Sequence, residues 1–127
     1  MPEPIIFVDV SEILPGKLDE VKVAFEELAA FVDANEPRVI SYDVFLDASE
    51  TLVTVIQVHH DSASMEFHMK AGAELFKRFT NLLTMRSMQI YGRPSRALLE
   101  AMQSKATMLG AGGVEINNRH ASLSRPR

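Results

Sequence analysis

Two segments of the 127-residue chain are predicted to form strands that carry apolar side chains on both faces. In Ile5–Ser11 and Leu52–His59, β-branched and aromatic side chains occupy odd and even positions alike. Strands of this kind are buried on both faces, whereas a sheet with one wet face alternates apolar and polar residues. The chain therefore has to cover both faces of its central strands. The odd positions hold Ile5, Phe7, Val53 and Val55, and the even positions hold Ile6, Val8, Leu52, Ile56 and Val58.

The first of these strands is followed by a predicted helix. A turn at Pro15-Gly16 separates the two elements, and Glu36-Pro37 ends the helix. Apolar residues recur along it at steps of three and four, which places one apolar stripe along a helical face. That stripe consists of Leu18, Val21, Phe25, Leu28 and Val32.

The middle of the chain completes a recognised pattern of elements. Val39–Leu46 and Leu52–His59 are predicted to form an antiparallel hairpin. A second helix follows the possible N-cap residues of Asp61–Ser64 and is broken at Gly72, and Met85–Tyr91 forms the fourth strand. The order predicts an α+β fold of the ferredoxin-like βαββαβ type, with two helices on one face of an antiparallel sheet.

One further helix is predicted after this pattern. It runs from Pro94, and the glycines of Gly110–Gly113 end it. Leu98, Ala101, Met102 and Lys105 lie along this helix at helical spacing. Residues 1–113 are therefore expected to form a single domain, of the size that one core supports. Residues 114–127 form a polar tail, in which Val114–Ile116 can add a short edge strand.

The second face of the sheet needs a cover. The extra C-terminal helix and a second copy of the sheet are the two candidates. One amphipathic helix is too small to shield four strands, so the pattern favours a homodimer in which two sheets face each other.

The composition limits the partners and the compartment. A formal net charge of −4 argues against a nucleic-acid partner, which needs clustered Lys and Arg. The absence of Cys fits a reducing cytoplasm and removes thiolate metal sites. Met1–Pro4 lacks the features of a signal peptide, and no apolar run approaches the ~20 residues of a membrane span. A cytoplasmic protein with neither a nucleic-acid nor a membrane partner is expected.

Three parts of the sequence resemble the antibiotic-biosynthesis-monooxygenase-like family of the dimeric α/β-barrel superfamily. They are Pro15-Gly16-Lys17 at the first helix, Asn35-Glu36-Pro37 with Ser41-Tyr42 at the second strand, and Gln57–His68 (QVHHDSASMEFH). The similarity runs from about Ile5 to Gly92. It implies two ferredoxin-like subunits that face each other sheet to sheet, each with a pocket between its sheet and its helices.

This resemblance also implies a range of activities. The family includes cofactor-independent oxygenases of quinols and polyketide aromatics, haem-degrading enzymes and proteins of no known function. The haem-degrading members and the best-known aromatic oxygenases use tryptophan in their sites, and this sequence has no Trp. The haem-degrading interpretation is weakened most.

His68 is the predicted catalytic base. An oxygenase without metal or flavin needs a base, donors for a developing oxyanion and a dry aromatic pocket. His68 stands on the inward side of the second helix with Met65, Met69 and Leu75, where it can reach a space between helix and sheet. The alternative is a core histidine whose hydrogen bonds are satisfied.

Five other residues are candidates for substrate binding. Gln57 and His59 share one face of the third strand, where they either hold a polar ligand atom or face solvent at the strand end. Tyr42 and Tyr91 can donate hydrogen bonds from strands, or pack with their hydroxyls in water. Arg86 can stabilise an oxyanion, or pair with an acid across the dimer.

The sequence predicts neither a metal nor a cofactor. His59, His60 and His68 make a poor metal set, because adjacent strand residues diverge and spacing fixes no carboxylate beside them. No phosphate-binding glycine loop or dinucleotide fingerprint occurs. The predicted function is a cofactor-free monooxygenase acting on a small hydroxylated aromatic such as a quinol. The alternatives are a ligand-binding or regulatory dimer without chemistry, and a haem-binding protein.

Overall fold

One sheet with helices on a single side makes up the fold. The computed structural model describes residues 3–125. In this part of the chain no helix combines the length and the hydropathy that crossing a membrane requires. The elements are β1 (Ile5–Ile13), α1 (Leu18–Asn35), β2 (Val39–Leu46), β3 (Leu52–His59), α2 (Ser62–Ala71), α3 (Ala73–Lys77), a 3₁₀ turn (Arg78–Asn81), β4 (Leu83–Tyr91), α4 (Arg96–Leu109) and β5 (Glu115–Asn117).

The sheet has five strands in the order β2-β3-β1-β4-β5. The central strand β1 pairs antiparallel with β3 and β4, and β2 pairs antiparallel with β3. The short strand β5 pairs parallel with β4 and lies where the sequence predicts an edge strand. The predicted α+β fold with ferredoxin-like βαββαβ order is confirmed.

A β-bulge interrupts the pairing of β1 with β4. Val10 and Ser11 are neighbours in β1, yet their partners in β4 are Ser87 and Met85. Arg86 is therefore the extra residue of the bulge, and its side chain is exposed.

The second helix is broken at Gly72, as the sequence predicts. α2 ends just before this glycine and α3 begins just after it. A Cβ atom on Gly72 would lie 2.5 Å from Cζ of Phe76. Glycine therefore leaves the space that the buried Phe76 ring occupies beside the break.

The hydrophobic core fills the layer between the sheet and the helices. Inward residues of β1 such as Ile5 and Phe7 are fully buried. The predicted stripe of α1 packs against them, with Val21 and Leu28 buried. Burying one such side chain stabilises the fold by about 1.5–3 kcal/mol.

Helix α4 packs on the same side of the sheet as α1 and leaves the other face uncovered. Residues of both helices, among them Phe25 and Lys105, line one cavity. The alternative in which the C-terminal helix covers the second face is therefore wrong. That face carries half-buried and exposed apolar side chains, namely Ile6, Val8, Val10, Phe45, Leu52, Ile56 and Val58.

Candidate functional site

A small cavity lies between the sheet and the helices. Much of its wall is aromatic, with Phe25, Phe76 and Phe79 among the lining residues. Its volume is about 20 Å³, which is room for one water molecule. An organic ligand can therefore bind here only if wall residues move. The polar residues of the wall are Asp9, Ser11, Tyr42, Gln57 and Lys105.

Asp9 reaches this cavity from the centre of the sheet. It occupies an inward position of β1, opposite Val55 of β3 and Met88 of β4, and is 5% exposed. Burial raises the pKa of Asp9 from 3.8 to about 7, and the charge of Lys105 opposes that rise only in part. A carboxyl that titrates near neutral pH can accept a proton from a ligand.

Lys105 brings a buried ammonium to the same cavity from α4. Its Nζ lies 3.9 Å from the ring centroid of Phe76 and 5.5 Å from that of Phe7, in cation–π contact. Burial lowers the pKa of Lys105, while the carboxylates of Asp9 and Glu36 raise it. The cavity thus combines a proton acceptor and a proton donor.

His68 lies behind the cavity wall. Its Nδ1 is 2.8 Å from Oε1 of Glu36, and both side chains are buried. The rings of Phe76 and Tyr42, whose centroids lie 5.2 Å and 5.9 Å from that of His68, belong to the wall itself. Burial lowers the pKa of His68, and the hydrogen bond to the Glu36 carboxylate opposes this.

The buried pair of His68 and Glu36 leaves one atom of each side chain without a hydrogen bond in the described part of the chain. Among residues 3–125, His68 Nε2 and Glu36 Oε2 have no hydrogen-bond partner. A buried polar atom left without a partner costs about 1–3 kcal/mol. When Nδ1 donates to Glu36, Nε2 carries the free lone pair, which is the arrangement of an oriented base.

Gln57 and His59 face inward together, so the alternative in which they face solvent is wrong. His59 Nε2 lies 2.9 Å from Oε1 of Gln57, and His59 Nδ1 lies 2.9 Å from Oγ of Ser64. Burial, with a contribution from the charge of His68, lowers the pKa of His59 to about 3. His59 is therefore neutral and orients Gln57, which lines the cavity.

Tyr42 lies in β2 opposite Gln57 and also lines the cavity. Burial raises the pKa of Tyr42, and the charges of Asp9 and Glu36 raise it further. Its hydroxyl therefore keeps its proton and can donate a hydrogen bond.

Arg86 and Tyr91 do not belong to the lining of this cavity. Arg86 Nε lies 3.2 Å from Oε2 of Glu12, so its partner is an acid of the same chain. Tyr91 is 39% exposed and its hydroxyl donates to Gln89. The contacts with substrate that the sequence predicts for these two residues remain predictions, because neither residue lines this cavity.

Three residues of the site were not predicted from the sequence. Asp9, Glu36 and Lys105 are all buried, and each carries a signal that is visible in the sequence. Asp9 interrupts the apolar inward positions of β1, and Lys105 interrupts the apolar stripe of α4. Glu36 is a charged residue at the end of α1 that the fold brings to His68.

The described part of the site holds no set of side chains suited to a metal ion. Glu36 and His68 bind each other. A catalytic zinc site takes three protein ligands, and no group of three or more His, Asp or Glu side chains within residues 3–125 can hold a metal ion.

The chain is similar to known proteins in structure, with low sequence identity. No family model and no curated protein matches the chain. MupZ from Pseudomonas fluorescens superposes with a TM-score of 0.76 and 17% identity, over 98% of this chain and 96% of MupZ. SnoaB, a cofactor-independent oxygenase from Streptomyces nogalater, superposes with a TM-score of 0.63 and 16% identity, over 73% of this chain and 95% of SnoaB. A candidate antibiotic biosynthesis monooxygenase from Bacteroides thetaiotaomicron gives a TM-score of 0.59 at 16% identity, over 65% of this chain and 85% of its own.

The chain has the antibiotic-biosynthesis-monooxygenase-like fold. The resemblance seen in the sequence is thus confirmed at the level of the fold. SnoaB matches 73% of this chain. MupZ matches nearly the whole chain. At identities of 16–17% this likeness is one of fold.

Proposed function

We propose that the protein is a cofactor-independent monooxygenase that oxidises a small hydroxylated aromatic, such as a quinol, in the cavity between sheet and helices. One observation carries the proposal: a carboxyl that titrates near neutral pH, Asp9, and an ammonium, Lys105, line the same aromatic-walled cavity. The likeness in fold to SnoaB, a cofactor-independent oxygenase, supports the same chemistry.

Asp9 acts as the general base. A phenol or enol becomes electron-rich enough to reduce dioxygen only after it loses a proton. A positioned base is most effective when its pKa lies near the working pH, and the pKa of about 7 for Asp9 meets that condition. The ammonium of Lys105 stabilises the anion that forms, because its charge acts in a dry site.

The reaction balances with dioxygen as the only co-reactant. In the keto tautomer of a phenol, the reacting carbon carries two hydrogens. The substrate anion gives one electron to dioxygen, and the two radicals combine into a carbon-bound peroxide. Lys105 protonates the peroxide, and loss of water leaves a carbonyl group. The carbon has then exchanged two hydrogens for one oxygen atom, and the second oxygen atom has left as water.

The other polar residues have supporting roles in this proposal. Tyr42 and Gln57 donate hydrogen bonds to the substrate, and His59 holds Gln57 in place. His68, the base predicted from the sequence, has a free Nε2 behind Phe76 and Tyr42, so it can take a proton only after those rings move. Asp9 lines the cavity itself, so it contacts the substrate as soon as the cavity widens.

The proposed enzyme is a homodimer. The uncovered sheet face presents a continuous set of apolar side chains on the central strands, including Val8 and Ile56. Monomeric proteins rarely expose a contiguous apolar patch of more than a few hundred Å². A second copy has the same apolar face, so two copies can cover each other.

Oxygen uptake tests the proposed activity. A panel of quinols and anthrols is offered to the protein, and dioxygen consumption is followed with product analysis. We expect uptake of one dioxygen per carbonyl formed, with Asp9→Asn and Lys105→Met each lowering turnover by at least ~10²-fold. Lys70→Met, an exposed lysine of α2, is the matched control and should keep full turnover.

Three outcomes would contradict the proposal. Tight binding of the panel without oxygen uptake would indicate a ligand-binding protein. Full activity in Asp9→Asn would remove Asp9 as the base, and a shift of the Soret band on haem titration would favour a haem protein.

A further inference from the structure

A larger cleft lies beside the cavity, between α1 and the edge strand β2. Its volume is about 280 Å³, against about 20 Å³ for the cavity. Apolar side chains from both elements and from β3 form most of its wall. They are Val21, Phe25, Ala29, Val44, Leu46 and Val53.

Phe25 and Tyr42 separate the cleft from the cavity, because both residues line both spaces. Phe25 comes from α1 and Tyr42 from β2, so the partition has one ring from each wall of the cleft. The cavity is too small for an aromatic ring until its wall moves. These two side chains are the part of that wall with empty space on the far side.

The outer edge of the cleft is charged. Nζ of Lys22 lies 2.9 Å from Oε2 of Glu50, and Glu26 and Asp43 are exposed lining residues. The cleft is thus apolar along its wall and polar where it meets water, which suits an apolar chain that ends at the surface.

We propose that this cleft binds an apolar arm of the substrate while the hydroxylated ring occupies the widened cavity at Asp9 and Lys105. The inference rests on the proposed function for the ring and adds the class of substrate: a hydroxylated aromatic that carries an extended, uncharged, alkyl-like substituent. A charge on the part of the arm that lies against the apolar wall is excluded, because that wall would desolvate an unpaired charge.

A series of ligands of increasing chain length tests the inference by binding alone. The probes are phenol, 4-propylphenol and 4-hexylphenol, measured by calorimetry with the full chain. Each methylene buried in the cleft should tighten binding roughly fourfold, from about 0.8 kcal/mol per buried CH₂. Ala29→Phe fills the cleft from α1 and should abolish this gain, so that the three phenols bind the variant with equal affinity.

Matched variants make the test specific to the cleft. Ala30→Phe adds the same ring at the next, exposed position of α1 and should keep the full gain. Val44→Phe fills the cleft from β2, so a result is available if Ala29→Phe does not fold. Equal affinity of the wild type for all three phenols, or a gain that survives both filling variants, would overturn the inference. A chain-length gain without oxygen uptake would instead reject the oxygenase and leave the cleft as a ligand site.

Discussion

Replacing Asp9 by asparagine removes a carboxyl whose burial at the centre of the sheet raises its pKa to about 7. Asparagine has nearly the same shape and resembles the protonated acid, so the variant keeps the packing and loses the titration. The folded protein prefers the protonated form of Asp9. Its contribution to stability is therefore fully present below the unfolded pKa of 3.8 and is lost as pH rises through about 7.

The size of the effect follows from the pKa difference. A shift of one unit corresponds to about 1.4 kcal/mol, so the full penalty for ionising Asp9 in the fold is on the order of 4 kcal/mol. Near pH 5 only the unfolded chain has lost its proton, and the penalty is about 1.5–2 kcal/mol. Near pH 8 both states have lost it. From pH 5 to pH 8, the unfolding free energy of Asp9→Asn should therefore rise by about 2–3 kcal/mol relative to that of the wild type.

Urea unfolding at the two pH values and at equal protein concentration measures this difference. Asp33→Asn, which removes an exposed carboxylate from α1, controls for the change in net charge. If the unfolding free energies of the wild type and of Asp9→Asn change by the same amount between the two pH values, Asp9 is not a buried, titrating acid.

Four further outcomes are expected. At pH 5, where Asp9 is protonated in the fold, Lys105→Met should leave the unfolding free energy equal or higher, because methionine fills the space and no charged Asp9 loses its partner; a loss above ~2 kcal/mol on urea unfolding at that pH would contradict this. His68→Ala should cost about 3 kcal/mol, because it leaves the Glu36 carboxylate buried alone, and an unchanged melting temperature would show that the pair is not buried in solution. Val8→Asp on the uncovered face should convert a dimer into a monomer in light scattering, and a wild type that is already monomeric at micromolar concentration would rule out the dimer. Truncation after Gly113 should leave a folded protein that is less stable by about 1–2 kcal/mol, since the few hydrogen bonds of β5 and the packing of Val114 are lost; a non-cooperative thermal melt would show that this strand is integral.

The fold was predictable because its elements follow the two regular periods of buried side chains. The stripe of α1 at steps of three and four, and the inward positions of β1, are buried as their spacing predicts. β4 was the least regular element, and its bulge gives the reason. Its inward residues Met85 and Met88 are three apart, because Arg86 adds one residue to the strand.

The site was less predictable because it is assembled from distant elements. Sequence spacing correctly puts Gln57 and His59 on one face, since they are two apart on a strand. It gives no measure of the distance between Asp9 in β1 and Lys105 in α4, which line one cavity only because α4 packs against α2 and β4. A pKa set by burial likewise depends on the whole layer of side chains around the group.

Gly72 carries a consequence for the relatives of this protein. Its backbone, with a φ of −91°, is open to any residue. Glycine is required by the space instead, because an added Cβ would lie 2.5 Å from Cζ of Phe76 and 3.2 Å from the backbone oxygen of His68. Positions 72 and 76 should therefore covary: a relative with alanine or a larger residue at position 72 needs a smaller side chain at position 76. Such a relative would also lose the ring that lies 3.9 Å from the Lys105 ammonium. One pair of alignment columns would then separate chains that keep this buried cation covered by an aromatic ring from chains that do not.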